Sequence, residues 1–168
     1  WAGVAQALVT RFGAKPIIVI GLALLTGAMV WYSQIPVHGK FATDLLPGYL
    51  MVGVGIAFAF VPVSIAALAG VAEREAGLAS GLINTSQQIG GAIGTAVAST
   101  VFATHYKALL KEGRSVADAL THGYGYAFWA LAFFGLAAIV AAVTLIRREE
   151  MAETPATAKP GGIFVMRS

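Results

Sequence analysis

The side chains able to do chemistry in this 168-residue chain are few, and their spacing excludes most reactions. His38, His105 and His122 stand far apart at the edges of long apolar stretches, without the short intervals typical of metal ligands. No cysteine is present, which removes disulfides, thiolate metal sites and sulfur nucleophiles together. Gly90-Gly91-Ala92-Ile93-Gly94 is glycine-rich, but a dinucleotide-binding turn needs a strand before it and an acid after it, and neither is present. No serine has a histidine and an acid placed to form a nucleophilic triad with it. The expectation is a protein that is not an enzyme and that holds no metal and no cofactor.

The elements that carry these residues explain why so few can react. The chain is 58% hydrophobic and 11% charged, with a mean hydropathy of +0.78, whereas soluble domains carry about 25% charged residues. A surface so poor in charge is solvated by lipid. The net charge of +3 is a thin basic excess with no patch of interleaved cations and aromatics, so no nucleic-acid partner is expected. Asp, Glu, Lys and Arg are absent between Lys15 and Lys40, Asp44 and Glu73, Glu75 and Lys107, and Asp118 and Arg147. Each interval exceeds the roughly 20 apolar residues that cross a bilayer. The reading is an all-α polytopic membrane protein with transmembrane helices at about 16–35, 46–71, 77–104 and 123–146.

Residues 1–10 read as the end of a truncated transmembrane helix. Ser115 and Asp118 have capping-box spacing, which predicts a short extracytoplasmic helix near 115–122. Residues 149–168, with two prolines and a Gly-Gly pair, read as a disordered cytoplasmic tail. Arg11, Lys15, Arg74, Arg147, Arg148, Lys159 and Arg167 fall on one side, and Lys40, Lys107, Lys111 and Arg114 on the other. The positive-inside rule makes the first side cytoplasmic, with both ends of the fragment there.

Within the third helix, Gly77, Gly81, Asn84, Gln88, Gly91 and Thr95 recur at intervals of four and three, with Gly90 and Gly94 beside them as G-x-x-x-G. Such a stripe lets helix backbones approach closely in lipid and is expected to be a packing interface. Asn84, Gln87 and Gln88 either bond neighbouring helices or line a substrate path. The second helix holds Pro62, which leaves the Phe58 carbonyl without its N–H partner. It is either a static kink or the bend of a cavity-lining element. The fourth helix, with Phe128, Trp129, Phe133 and Phe134, is expected to face lipid. Its neighbours Tyr124 and Tyr126 would join Trp129 in an interfacial belt. None of the four intervals contains a carboxylate, so a proton-coupling acid has to lie elsewhere.

Two segments resemble a known family. Gln6 to Pro16 is similar to the second copy of the cytoplasmic loop motif of the major facilitator superfamily. Arg11, Gly13 and Lys15 match that motif, while Gln6 and Thr10 stand where it has glycine and aspartate. Val61-Pro62-Val63-Ser64 and the run from Gly77 to Gly94 resemble its fourteen-helix drug:proton antiporter branch, the EmrB/QacA type. The resemblance covers about residues 1–148. It implies a C-terminal fragment of a transporter that exports hydrophobic or cationic compounds by alternating access, coupled to protons.

It further implies that Phe58, Phe60, Pro62 and Ser64 line a substrate cavity. The stripe of the third helix, Gly94 included, would pack against the N-terminal half of the same transporter. The resemblance thus implies a cell-membrane location, with lipid, protons and a small-molecule substrate as partners. Two alternatives stand: a superfamily transporter of another small solute, and a free-standing four-helix membrane protein with a structural role.

Overall fold

The computed structural model describes residues 13–68 and 71–145, and every regular element in them is helical. Helix α1 runs Ala14–Tyr32, α2 Leu46–Leu68, α3 Ala76–Lys111 and α4 Val116–Leu145. The expected segments 1–10 and 149–168, and Arg11, lie outside the described residues.

Each boundary has a local cause. Gly13 precedes α1 at a φ of +83°, a left-handed conformation that suits glycine, and Pro16 fits the first turn. The helix stops as the Ser33 N–H donates to the Met29 carbonyl at 3.0 Å and the Ser33 hydroxyl donates to the Val30 carbonyl at 2.7 Å. A five-residue π-helical turn, Phe41–Leu45, leads into α2, and the Asp44 carboxylate accepts the Lys40 N–H at 2.6 Å at its start. α3 ends in a Schellman motif: Gly113 N–H donates to the Leu110 carbonyl, Arg114 N–H donates to that of Leu109, and Gly113 takes a φ of +81°.

The residue after that motif, Ser115, caps α4: its hydroxyl accepts the Asp118 N–H at 3.2 Å. The sequence anticipates a separate short helix near 115–122 with a break before 123, and the structure corrects this to one continuous helix from Val116. Gly123 and Gly125 are buried contact points inside it. A Cβ on Gly123 would meet the Phe102 ring at 3.1 Å, and one on Gly125 the Ser33 carbonyl oxygen at 3.0 Å. Ser115→Ala removes the cap and should destabilise the folded protein by about 1 kcal/mol, read as a lower unfolding midpoint in mixed micelles. Ser115→Asp, which restores an acceptor, should recover most of the loss.

α1 packs against both α2 and α4, α4 packs against α3, and α2 touches α3 only slightly. Among the described residues the buried hydrophobic ones are six alanines, Ala14, Ala28, Ala119, Ala127, Ala132 and Ala142, with Ile17 and Ile18. The large side chains face outward: Leu50 is 61% exposed, Leu78 78% and Phe133 71%. Small residues inside and large apolar ones outside is the arrangement that lipid permits, since burying leucine gains nothing there and close backbone approach gains dispersion. Among the described residues, α1, the span Phe41–Ser64 and α4 are long and apolar enough to cross a membrane. α3 is longer still, about 54 Å at 1.5 Å per residue. Its amides, hydroxyls and glycines hold its hydropathy below theirs.

Candidate functional site

Phe58, Phe60, Pro62 and Ser64 do not share one face, because residues two apart on a helix are separated by ~200°. Pro62 is fully buried and Phe58 half-buried. The Phe58–Ala59 peptide lies against α1, where a Cβ on Gly21 would come within 2.7 Å of the Phe58 carbonyl carbon. Phe60 is 52% exposed and continues an open stripe made by Tyr49, Gly53, Ile56 and Val63, with half-buried Ser64 beside it. The proline and Phe58 thus belong to the packed side of α2, and Phe60 to its open side.

The third-helix stripe is uncovered among the described residues. A Cβ added at Gly77, Gly81, Gly90, Gly91 or Gly94 would meet nothing within 4 Å, and Asn84, Gln87 and Gln88 are exposed. The closest backbone approaches fall elsewhere, between α1 and α2. A Cβ on Gly21 would sit 2.6 Å from the Ala59 nitrogen, and one on Gly55 3.0 Å from the Gly21 carbonyl oxygen. Nearer its C-terminal end α3 carries a shallow cavity of about 340 Å³ lined by Ser99, Thr100, Ala103, Thr104 and Lys107. Two of these hydroxyls donate to their own helix, Thr100 to the Ala96 carbonyl and Thr104 to that of Thr100, both at 2.8 Å. They therefore offer acceptor oxygens outward.

Of the loop motif, Gly13 and Lys15 are described. The Lys15 Nζ donates to the Val143 carbonyl at 2.6 Å and ties the start of α1 to the last turn of α4. A lysine ammonium suits that position, since the carbonyl end of a helix carries partial negative charge. The spacing of the motif gives no hint of this partner, which lies 128 residues away.

The other end of the bundle carries aromatic pairs. Phe102 stacks on Tyr124 with ring centroids 4.4 Å apart, and His105 stacks on Tyr126 at 4.0 Å. Tyr32 lies against Phe128 at 5.4 Å and Tyr49 at 5.9 Å. Among the described residues its buried hydroxyl lacks a hydrogen-bond partner. Trp129, Phe133 and Phe134 face outward as the sequence suggests, but Phe128 is half-buried because Tyr32 covers it. Arg114 donates to the Asp118 carboxylate at 2.8 Å, which holds the guanidinium above its ordinary pKa, and His122 lies 3.2 Å from the other carboxylate oxygen. No cluster of His, Cys, Asp and Glu suited to a metal occurs among the described residues.

The family profile of the Major Facilitator Superfamily matches residues 2–168, nearly the whole chain. The chain belongs to the Major Facilitator Superfamily. Among its relatives, the puromycin resistance protein of Streptomyces alboniger is 36% identical over 143 residues, 82% of this chain and 27% of that protein. The cephamycin export protein CmcT of Amycolatopsis lactamdurans is 30% identical over 158 residues, 94% of this chain and 30% of its own length. The multidrug resistance protein Stp of Mycobacterium tuberculosis is 34% identical over 106 residues, covering 62% of this chain and 19% of that protein. No solved structure matches. The chain spans less than a third of the length of the first two relatives. Members of that superfamily are in general transporters and not enzymes, and the outward large residues and inward alanines of this chain are those of a multi-pass membrane bundle.

Proposed function

We propose that the chain is the C-terminal part of a proton-coupled exporter of hydrophobic or cationic drug-like compounds, working by alternating access in the cell membrane. The observation that carries this reading is the alignment of two relatives, one named for puromycin resistance and one for cephamycin export, over 82% and 94% of the chain. Two faces of the bundle fit such a role. The open stripe of α2 offers Phe60 to the substrate path, with Ser64 beside it, while Phe58 and Pro62 brace the stripe from the packed side. The uncovered stripe of α3, from Gly77 to Gly94, takes helices of the N-terminal half. The four helices lack a carboxylate in their apolar intervals, so the proton is bound outside this fragment. Lys15 fastens α1 to α4 on the cytoplasmic side, where both ends of the fragment lie.

The test is efflux from cells expressing the complete reading frame that contains this chain, across a panel of dyes and antibiotics. Export that stops on adding a protonophore is expected, and export indifferent to the proton gradient would overturn the coupling. Phe60→Ala should raise the KM for aromatic cations about three- to fivefold while leaving protein yield unchanged, as expected for the loss of one ring contact. An unchanged KM would remove Phe60 from the path.

A further inference from the structure

We propose that the end of α1 and the turn entering α2 form a site for an alkylammonium group, seated between the Trp31 indole and the Asp44 carboxylate. The site is at the end of the bundle opposite Lys15. A cavity of about 210 Å³ is lined there by Trp31, Gln34, Ile35, Pro36 and Asp44. This is below the roughly 300–1,000 Å³ of a drug-sized pocket, so it holds a headgroup and leaves the rest of the molecule outside.

The ring and the carboxylate are both fixed in place. The Trp31 Nε1–H donates to the Asp44 backbone carbonyl at 2.8 Å, which ties the indole by its edge, and the residue is still 43% exposed. The Asp44 Oδ2 accepts the Lys40 N–H at 2.6 Å, which orients the carboxyl group and leaves Oδ1 for a ligand. Asp44 is half-buried and belongs to none of the ion pairs among the described residues. The Gln34 amide donates to the Val30 carbonyl at 3.3 Å, and its oxygen adds a second acceptor. Ile35 and Pro36 supply the apolar wall. A partly desolvated negative charge beside an aromatic face selects a cation with methyl or methylene groups: the charge attracts it, the ring quadrupole adds to that, and the apolar wall takes the alkyl surface. An anion is repelled, and a neutral molecule gains only the wall. Lys40 is the cation nearest in sequence, and it is exposed one turn before Asp44.

Two sources supply this chemistry, a lipid headgroup bearing an ethanolamine and a soluble amphiphilic cation. The second rests on the exporter reading given above, but the site itself is measured without a gradient, so failure of transport and failure of the site are separable. The experiment is binding of benzyltrimethylammonium and of neutral benzyl alcohol to the full-length transporter in nanodiscs, by equilibrium dialysis, with no energy source.

Asp44→Asn keeps an oxygen for the Lys40 N–H and removes the charge, and it should weaken the cation about tenfold while changing the alcohol less than twofold. Trp31→Leu should weaken the cation about fivefold. Lys40→Gln should tighten it about threefold, and this variant serves if Asp44→Asn fails to fold. Phosphatidylethanolamine in the disc, set against phosphatidylglycerol alone, should compete if the lipid is the occupant; no competition identifies the soluble cation. Equal cation affinity in the wild type and in a folded Asp44→Asn protein, or no change in Lys40→Gln, overturns the site.

Discussion

Gly21→Leu should cost about 3 kcal/mol or more of folding stability, the largest effect of any single substitution considered for this bundle. The reason is the identity of the atoms in the way. A Cβ at Gly21 comes within 2.6 Å of the Ala59 nitrogen and 2.7 Å of the Phe58 carbonyl carbon, and Gly55 approaches from the same helix. Backbone cannot rotate aside as a side chain does, so α1 and α2 must separate along their length. Even Gly21→Ala should lower the unfolding midpoint clearly. The measurement is denaturation of the complete transporter in mixed micelles, with Ala23→Leu as the control on the exposed face of the same helix. A Gly21→Leu protein as stable as that control would show that the crossing is loose.

Gly81→Leu should have the opposite character: little effect on the packing of these four helices, and a fall in export of about tenfold or more. Nothing lies within 4 Å of a Cβ at Gly81, so the described helices do not resist the new side chain. If α3 carries the seam with the other half of the transporter, the leucine enters that seam, at a cost of about 1–3 kcal/mol. Alternating access requires the two halves to re-pack, and one wedged glycine stripe biases every cycle. Ser86→Leu, about half a turn round α3 from the stripe, should leave export intact. Equal export by both variants would mean that the stripe faces lipid.

How much of this was legible in the sequence depends on which atoms decide each feature. Charge-free intervals and capping residues are local, and they locate α1, α2 and α3 to within a few residues at most ends. Ser115 is found from its spacing to Asp118 alone. The continuity of α4 is not local: the cap at Ser115 and the apolar stretch after it suggest two helices, and only the Phe102 ring and the Ser33 carbonyl show why glycines stand at 123 and 125 within one. The same holds for Gly21 and Gly55, whose partners are each other across two helices. Periodicity within α3 reveals a stripe, yet it cannot say which glycines meet a neighbour inside this chain.

Of the candidate cavity residues, the sequence groups Phe58, Phe60, Pro62 and Ser64 by proximity along the chain, and helical rotation separates them. Spacing alone does not join Trp31 to Asp44, because their meeting depends on the loop turning back at Pro36, where the Gly39 N–H donates to the Pro36 carbonyl at 3.0 Å. The sequence signals of the pair are a tryptophan at a helix end and an acid in the next loop.

The bond from Lys15 to Val143 also sets an order of events during synthesis. α1 and α2 are consecutive and can pair as a hairpin as soon as both are inserted, but the α1 surfaces at Lys15, Thr26 and Ser33 meet α4 positions made much later, at Val143, Gly135 and Gly125. At roughly 5–20 residues per second, the 128 residues between Lys15 and Val143 take on the order of ten seconds to make. For that interval one flank of α1 rests against lipid or an insertion chaperone. The α4 glycines at 125 and 135 let a finished helix dock onto a hairpin already in the membrane, with no bulky side chain to clear.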